Sequence, residues 1–355
     1  PAWIADMDLK TLPEVQEAII EAAKNGMYGY TKVTDEVIAS YLRWQQRRNG
    51  WNAAADWFRF TPGVVTAINL LLLSETEEGD EVLIQRPVYY PFTNIIRDND
   101  RRVIDNTLVY EKRVTEGKSQ YSIDYEDFER KIVQENIKLF ILCNPHNPVG
   151  RVWNREELQC LGEICLRHHV IVVSDEIHND FVYPGFEHTV FANVDPRFAE
   201  FTVTCTAPSK TFNLAGLQIS NIFISNETLR EAFQKEIDKT GYDEPNALGA
   251  VACEAAYRGG QEWLDPLRAY LLENLNFLRA YLQEKIPQIH LVEPEGTYLV
   301  WVDCSVLKKS SEEIVTALLE KEKVWVNEGS MYGEDGDNFI RINIACPRQQ
   351  LAKGL

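Results

Sequence analysis

The sequence predicts a doubly wound α/β domain followed by a smaller α+β domain, and three observations carry that prediction. A chain of 355 residues, of which 45% are hydrophobic, is long enough for about two domains with a large core. Short apolar runs alternate with helical patterns in the first part of the chain, as in a parallel sheet covered by helices. After about Gly241, two long helices and mixed strands replace this alternation.

Three helices are predicted in the N-terminal part. Apolar residues recur at helical spacing over Thr11–Asn25 and Thr34–Arg48. Gly26 and Gly50 end these two helices, because glycine readily adopts the left-handed conformation found after a helix. A third helix over Thr66–Ser74 is apolar nearly all round, which predicts that it is buried.

The strands of the large domain are predicted from short apolar runs bounded by polar or turn residues, as expected for strands buried on both faces. The runs are Val82–Gln85, Leu139–Cys143, Val170–Ser174, Thr202–Thr206 and Asn221–Ser225. Asn154 and Glu157 form a capping-box pattern for an intervening helix that ends near Arg167.

The C-terminal part mixes helices with strands, which predicts the smaller α+β domain. Its predicted elements are helices over Asn246–Tyr257 and Leu264–Lys285, a helix capped by Ser310 and Glu313, and strands over Thr297–Asp303, Val324–Val326 and Phe339–Ile344.

The composition limits the possible partners. Lys and Arg number 36 against 54 Asp and Glu, a net charge of −18, which disfavours nucleic acid and anionic membrane surfaces. No apolar run is long enough to span a bilayer, and no signal peptide is visible at the start of the sequence. Seven cysteines without a CxxC pair indicate reduced thiols in the cytoplasm and argue against a metal site.

Candidate catalytic residues follow two of the predicted strands, where ligands bind in open α/β sheets. Lys210 stands after Thr202–Thr206 among small and apolar residues. A desolvated lysine there can act as a Schiff-base amine, although a surface lysine in a loop fits the local sequence too. Asp175 stands after Val170–Ser174. A buried acid needs a positive partner, and capping of a loop or helix is the other interpretation.

Two further segments are candidates for ligand binding. The two X-Pro bonds and the glycine of Asn144–Gly150 predict a rigid turn that can aim an amide side chain at a ligand, or a tight turn alone. The turn Thr61-Pro62-Gly63 leads into a helix, whose free N–H groups can hold phosphate. Neither a Walker loop nor a GxGxxG motif is present, so a nucleotide-binding oxidoreductase has little support.

Together these pieces resemble the fold-type I pyridoxal-phosphate (PLP) enzymes, the aspartate aminotransferase superfamily, over nearly the whole chain. The resemblance lies in Asn144–Gly150, Ser174–Glu176, Ser209-Lys210 and Arg341. Several stretches resemble more closely the MalY/PatB-type cystathionine β-lyases, a C–S lyase branch of this superfamily. These stretches are Trp3–Asp8, Tyr28–Tyr30, Ser174–His178, Ala207–Asn213 and Thr297–Leu299.

The resemblance implies an aspartate aminotransferase-like architecture. The large PLP-binding domain, over residues 36–250, would contain a mixed, mostly parallel sheet of the seven-stranded type flanked by helices. Residues 251–355 would form the small α+β domain. Residues 1–35 would be an N-terminal segment that packs with the small domain and with the partner of a homodimer.

The resemblance also implies roles around the cofactor ring. Lys210 would link covalently to PLP, Asp175 would pair with the ring nitrogen, and Asn147 would donate to the phenolic oxygen. Tyr89 would stack on the ring, with a core tyrosine as the alternative. His178 stands where many members of the superfamily carry a tyrosine near the phenolic oxygen, which leaves its role open.

The phosphate and substrate ends of the site are implied in the same way. The amides of Gly63, Val64 and Val65 would hold the phosphate, helped by a hydroxyl such as that of Ser209 or Thr206. Tyr30 of a neighbouring subunit would also reach the phosphate. Together with Gly63, Val64, Val65, Ser209 and Thr206 it forms the phosphate set. Ala207 and Gln218 replace a serine and an arginine that bind phosphate in many relatives.

Substrate contacts are implied for three residues. Arg341 would clamp the α-carboxylate of the substrate, together with Asn147, and Ala5 would line the mouth of the site. The predicted reaction is α,β-elimination of L-cystathionine or a related S-substituted cysteine to pyruvate, ammonia and a thiol. An aminotransferase on the same scaffold is the alternative, and a PLP-binding regulator without catalysis is a third hypothesis.

Overall fold

The computed structural model describes residues 2–112, 119–242 and 244–355. The helices are α1 (Pro13–Asn25), α2 (Asp35–Asn49), α3 (Val64–Glu75), α4 (Tyr90–Asp98), α5 (Tyr125–Gln134), α6 (Arg155–Arg167), α7 (Pro208–Thr211), α8 (Glu227–Thr240), α9 (Ala247–Gly259), α10 (Gln261–Lys285), α11 (Ser311–Ala317) and α12 (Arg348–Gly354). The strands are β1 (Phe58–Thr61), β2 (Glu81–Ile84), β3 (Arg102–Asp105), β4 (Val109–Glu111), β5 (Gln120–Ser122), β6 (Leu139–Cys143), β7 (Ile171–Asp175), β8 (Thr202–Thr206), β9 (Ser220–Ile224), β10 (His290–Leu291), β11 (Leu299–Asp303), β12 (Asn327–Glu328) and β13 (Phe339–Asn343).

The large sheet has seven strands in the order β1-β9-β8-β7-β6-β2-β3. The pairs from β8 through β7, β6 and β2 to β3 are parallel, whereas β9 is antiparallel to both β8 and β1. This is the mixed, mostly parallel sheet that the sequence predicted. Because β1 runs in the same direction as β8, the carboxyl ends of β1, β8, β7 and β6 meet at one edge of the sheet.

Helices cover both faces of this sheet, which explains why its central strands are continuously apolar. Alternate residues of one strand enter different cores: Leu139 and Ile141 pack with α3, α4 and α8, whereas Phe140 and Leu142 pack with α5 and α6. A period of two therefore assigns successive side chains to opposite helical layers.

A second, antiparallel sheet has the order β10-β11-β13-β12. Its Val300, Val302 and Ile340 pack in the same core as α10. The N-terminal segment joins this region through backbone hydrogen bonds: the Ala2 N–H donates to the Trp325 carbonyl over 3.1 Å, and the Asn343 N–H donates to the Ala2 carbonyl over 3.0 Å. In the residues described above, no helix has both the length and the apolar character needed to cross a bilayer.

Most predicted elements lie within three residues of the observed ones, and both predicted capping boxes are present. The predicted strand over Val324–Val326 is wrong, since the short strand β12 begins at Asn327. Trp325 instead stacks on Trp3 at 4.9 Å between ring centroids, and its carbonyl accepts from Ala2. Pairing with the N-terminal segment replaces the sheet ladder at this position.

Candidate active site

The candidate site lies where the carboxyl ends of β6, β7 and β8 meet. Asp175 is the last residue of β7 and stands opposite Cys143 of β6 and Cys205 of β8. Lys210 lies on α7, a single helical turn that begins just beyond β8. The topology thus brings an amine and a carboxylate, far apart in the sequence, to one edge of the sheet.

The Lys210 side chain is 18% exposed, and its amine points toward the N-terminal segment. Its Nζ donates to the Ala5 carbonyl over 3.1 Å and lies 4.0 Å from a carboxylate oxygen of Asp6. Burial lowers the pKa of the Lys210 amine, and the positive charge of Arg341 lowers it further against the opposing effect of Asp6. A depressed pKa increases the neutral fraction that can act as nucleophile or base.

Asp175 is buried, and its carboxylate accepts a hydrogen bond from the Ile177 N–H over 3.1 Å. Burial raises the pKa of the Asp175 carboxyl to about 7, and the nearby charge of Glu176 acts in the same direction. Among residues 2–112, 119–242 and 244–355, no cation lies within ion-pair distance of this carboxylate. A cationic ligand would therefore stabilise its ionised form strongly.

Arg341 is 3% exposed and binds neutral oxygens. Its guanidinium donates to Asn147 Oδ1 over 3.1 Å, to Asn327 Oδ1 over 2.6 Å and to the Trp3 carbonyl over 2.7 Å. It lies 5.2 Å from the ring centroid of Tyr332. Burial lowers the pKa of the Arg341 guanidinium. Since no carboxylate of the described chain pairs with it, this buried cation is suited to bind an acidic ligand.

A tight turn aims Asn147 at the site. The His146 N–H donates to the Arg151 carbonyl over 2.7 Å, and the Gly150 N–H donates back to the His146 carbonyl over 2.8 Å. Gly150 has a φ of 77°, and a Cβ there would approach Pro294 Cβ to 2.8 Å. Only glycine satisfies both constraints, so the turn predicted from the sequence is rigid for a local steric reason.

Two aromatic side chains complete the centre of the site. Tyr89 is half-buried at the start of α4, and burial raises the pKa of its phenol to about 12, with a smaller contribution from the charge of Asp175. His178 is 3% exposed. Burial and the charges of Lys210 and Arg341 lower the pKa of the His178 imidazole to about 3, so it is neutral near pH 7.

The N-terminus of α3 lies at the same edge of the sheet. The first hydrogen bond of this helix runs from the Ala67 N–H to the Gly63 carbonyl over 3.0 Å, so the amides of Val64 and Val65 have no intrahelical acceptor. A Cβ added to Gly63 would meet nothing within 4 Å, which indicates open space beside these amides. Free amides beside open space form an anion site at a helix N-terminus.

The remaining members of the phosphate set differ in position. Ser209 is half-buried in the first turn of α7. The Thr206 hydroxyl is already engaged, since it donates to the Tyr41 hydroxyl over 2.6 Å. Tyr30 is 99% exposed, so within a single chain it does not reach the site. Gln218 is exposed as well.

Sequence reasoning missed Asn327 and Tyr332, which contact Arg341. Neither residue follows a strand of the large sheet or belongs to a motif, so no local pattern identified them. Ala5, in contrast, was predicted at the mouth, and its carbonyl accepts from both Lys210 and the Tyr298 hydroxyl, the latter over 2.8 Å.

Comparison with known proteins identifies the family to which this arrangement belongs. The family model "Aminotransferase class I and II" matches residues 4–355. The chain belongs to this aminotransferase family. It is 41% identical over 355 residues to the cystathionine beta-lyase PatB of Bacillus subtilis (strain 168), covering 100% of this chain and 90% of that protein.

Two solved structures are also similar to this chain. A PLP-bound putative aminotransferase from Clostridium difficile 630 superposes with a TM-score of 0.96 at 40% identity, covering 100% of this chain and 90% of that one. The PLP-bound C-S lyase from Staphylococcus hominis gives a TM-score of 0.93 at 34% identity, covering 99% and 88%. The family and branch predicted from the sequence are confirmed, whereas the roles of individual residues stay predictions.

Proposed function

We propose that this chain is a PLP-dependent C–S β-lyase that converts L-cystathionine or a related S-substituted cysteine to pyruvate, ammonia and a thiol. The observation that carries the proposal is the meeting of the Lys210 amine with two buried charges, Asp175 and Arg341, that lack counter-ions in the described chain. The names of PatB and of the Staphylococcus hominis C-S lyase, at 41% and 34% identity, support this chemistry.

The residues of the site fit PLP. Asp175 is a buried carboxylate without a cation, which a protonated pyridine nitrogen would supply. Lys210 would hold the cofactor covalently through Nζ, and Tyr89 would stack on its ring. Asn147 and the neutral His178 would lie on the side of the phenolic oxygen, where His178 Nδ1 is buried and has no hydrogen-bond partner in the described chain.

The phosphate of PLP would bind the N-terminus of α3 through the amides of Gly63, Val64 and Val65. The Ser209 hydroxyl is a better additional donor than that of Thr206, which already donates to Tyr41. Tyr30 would reach the phosphate of the partner in a homodimer, and its 99% exposure in one chain supports a contact outside that chain. The site would then be complete only in the dimer.

When bound, PLP supplies an electron sink for the negative charge that develops at Cα of the substrate. Arg341 would bind the α-carboxylate through two N–H groups in exchange for the Trp3 carbonyl, and Asn147 would help to orient it. Lys210 Nζ would then remove the Cα proton, for which its lowered pKa prepares it. Asp175 would keep a proton on the pyridine nitrogen, and Ala5 with its neighbours would limit access of water.

We propose the domain division 1–35, 36–250 and 251–355, with support from the two separate sheets and the intervening helix α10. A cytoplasmic location is proposed as well. All seven cysteines are free, and six of them are buried, which suits a reducing compartment.

An aminotransferase is the second candidate, because a structure at 40% identity bears that name. Incubation of the enzyme with L-cystathionine and no oxo-acid separates the two. Steady release of pyruvate and thiol over many turnovers is expected of the lyase. If turnover begins only after 2-oxoglutarate is added, the lyase proposal is wrong.

A further inference from the structure

We propose that Asp180 is a positioning residue that holds Lys210 in place relative to Asp175 and His178, by fastening the loop after β7 to helix α7. The inference deepens the proposed function and rests on it for the role of Lys210. It arises from a buried polar connection between two segments of the site, one a loop and the other a single helical turn.

Helix α7 consists only of Pro208–Thr211. One helical turn has little stability of its own, because helix formation begins with an unfavourable nucleus. The orientation of Lys210 therefore depends on what the neighbouring residues of α7 contact. Thr211, which directly follows the lysine, is 1% exposed, and its hydroxyl donates to Asp180 Oδ2 over 2.8 Å.

Asp180 lies in the loop that follows β7. This residue follows Asp175 by five positions, and backbone hydrogen bonds close the turn between them. The Asn179 N–H donates to the Glu176 carbonyl over 3.0 Å, and the Phe181 N–H donates to the His178 carbonyl over 2.9 Å. Asp180 is thus coupled through a short, folded loop to the residues that face Lys210 from β7.

Asp180 itself is held by two side chains, those of Arg48 and Trp44. It is 3% exposed and lies 2.7 Å from Arg48 Nε in an ion pair whose two side chains are nearly buried. The Trp44 Nε1–H points at both carboxylate oxygens, 3.2 Å from each. Both partners come from α2, a 15-residue helix. The Trp44 ring also packs on Phe212, which follows Thr211, at 5.4 Å between centroids.

These contacts make Asp180 the junction of three segments: α2, the loop after β7 and α7. An apolar side chain could fill the same space, and buried ion pairs are often no more stable than such a replacement. What an apolar residue cannot supply is a directional acceptor for Thr211. The carboxylate therefore sets the direction of α7, and small displacements of a reacting amine reduce rates substantially.

The test changes Thr211, because Asp180 variants risk misfolding of a buried ion pair. In the PLP-loaded enzyme, Thr211→Val removes the hydroxyl but keeps the shape, and Thr211→Ser keeps the hydroxyl but loses a methyl group. Thr202→Val is the matched control: Thr202 is also 1% exposed, and its hydroxyl donates to the Phe198 carbonyl over 2.6 Å, away from α7.

We expect Thr211→Val to lower kcat about tenfold with KM for L-cystathionine within about twofold of wild type, because the amine moves while Arg341 does not. The circular dichroism of the bound cofactor in the visible range should change in parallel. Thr211→Ser should keep both properties of wild type, although the loss of a buried methyl group lowers its Tm. Thr202→Val should leave both unchanged.

The proposal is overturned if Thr211→Val keeps the kcat and visible circular dichroism of wild type, or if Thr211→Ser loses them to the same extent as Thr211→Val. Failure of the proposed function is a separate outcome. It would appear as an absence of pyruvate release by the wild type, and the visible circular dichroism of the variants would still decide the role of Thr211 and Asp180.

Discussion

Two buried arginines, Arg151 and Arg341, show how the scaffold of this protein differs from its site. Arg151 is 6% exposed and pairs with Glu157 and Glu295, each at 2.8 Å. Arg341 is 3% exposed and contacts only neutral oxygens and an aromatic ring among the described residues. Burial opposes the charge of both, but the neighbouring carboxylates raise the pKa of Arg151, whereas that of Arg341 is lowered.

The same contrast holds between two buried aspartates five residues apart. Asp180 has an ion pair with Arg48, while Asp175 has none in the described chain and holds a pKa near 7. The charges of Arg151 and Asp180 are thus neutralised within the chain, whereas Arg341 and Asp175, which act electrostatically on Lys210, have no counter-ion in the described chain. Because an uncompensated buried charge is unfavourable, such charges indicate that the ligand supplies the missing partners.

The largest expected effect comes from removing the Lys210 amine at the centre of the site. Lys210→Ala should lower kcat by about a thousandfold or more, as expected when a nucleophile and general base is lost. The visible absorbance of the PLP-loaded enzyme should change too. Lys138→Ala, at an exposed lysine paired with Asp80, should leave both unchanged. A Lys210→Ala enzyme that still turns over would remove Lys210 from the mechanism.

Replacing each of the two arginines by methionine tests the contrast between scaffold and site directly. Arg151→Met leaves Glu157 and Glu295 without their cation, and should reduce the free energy of unfolding by about 3–5 kcal/mol. Arg341→Met should change stability much less but lower kcat/KM about a hundredfold, because the bidentate contact with the substrate carboxylate is lost. Urea unfolding and steady-state kinetics on both variants provide the measurements. Equal losses of stability would contradict the distinction.

Asp175 should make the stability of the cofactor-free protein depend on pH. The carboxyl has a pKa of about 7 in the folded chain against 3.8 as its ordinary value. Between these values the folded state binds more protons than the unfolded state, so stability falls as pH rises from about 4 to about 7. The total loss is of order 4 kcal/mol.

Thermal unfolding of the cofactor-free protein across this pH range provides the check. Asp175→Asn should remove most of the decline, whereas Asp80→Asn, at a partly exposed aspartate paired with Lys138, should leave it in place. Bound PLP should reduce the decline as well, because its ring nitrogen supplies a counter-ion. A decline of the same size in Asp175→Asn would assign it to other groups.

Much of the fold could be predicted from local pattern, because burial on both faces and helix capping leave a signature within a few residues. Strands β6 and β8 were predicted at the observed bounds, and the capping box at Asn154 is present. The amphipathic helices α4, α5 and α8 were not predicted. The segment Val324–Val326 was misassigned because its pairing with Ala2 joins opposite ends of the chain.

The residues of the site likewise divide into those with a local signal in the sequence and those without one. Lys210 and Asp175 could be predicted because each follows a buried strand, and the family resemblance then identified Asn147 and Arg341. Residues that act through distant partners left no such signal. Asp180 is 136 positions from Trp44 along the chain, and only the folded structure brings these side chains together.

The smallest expected effect comes from giving Arg341 the counter-ion that Arg151 already has. Asn327 Oδ1 accepts from Arg341 over 2.6 Å, and aspartate is nearly the same shape as asparagine. Asn327→Asp should therefore form a buried ion pair and compete with the substrate carboxylate, raising KM for L-cystathionine about tenfold, or about 1.4 kcal/mol.

In this variant kcat should stay within about twofold of wild type, because Lys210 and Asp175 keep their contacts. Asn343→Asp is the matched control, since Asn343 lies on the same strand as Arg341 but its side chain donates to the Ile4 and Asp6 carbonyls instead. A KM that rises equally in both variants would assign the effect to disturbance of the N-terminal segment. A rise confined to Asn327→Asp would mean that the missing counter-ion of Arg341 is what the substrate carboxylate replaces.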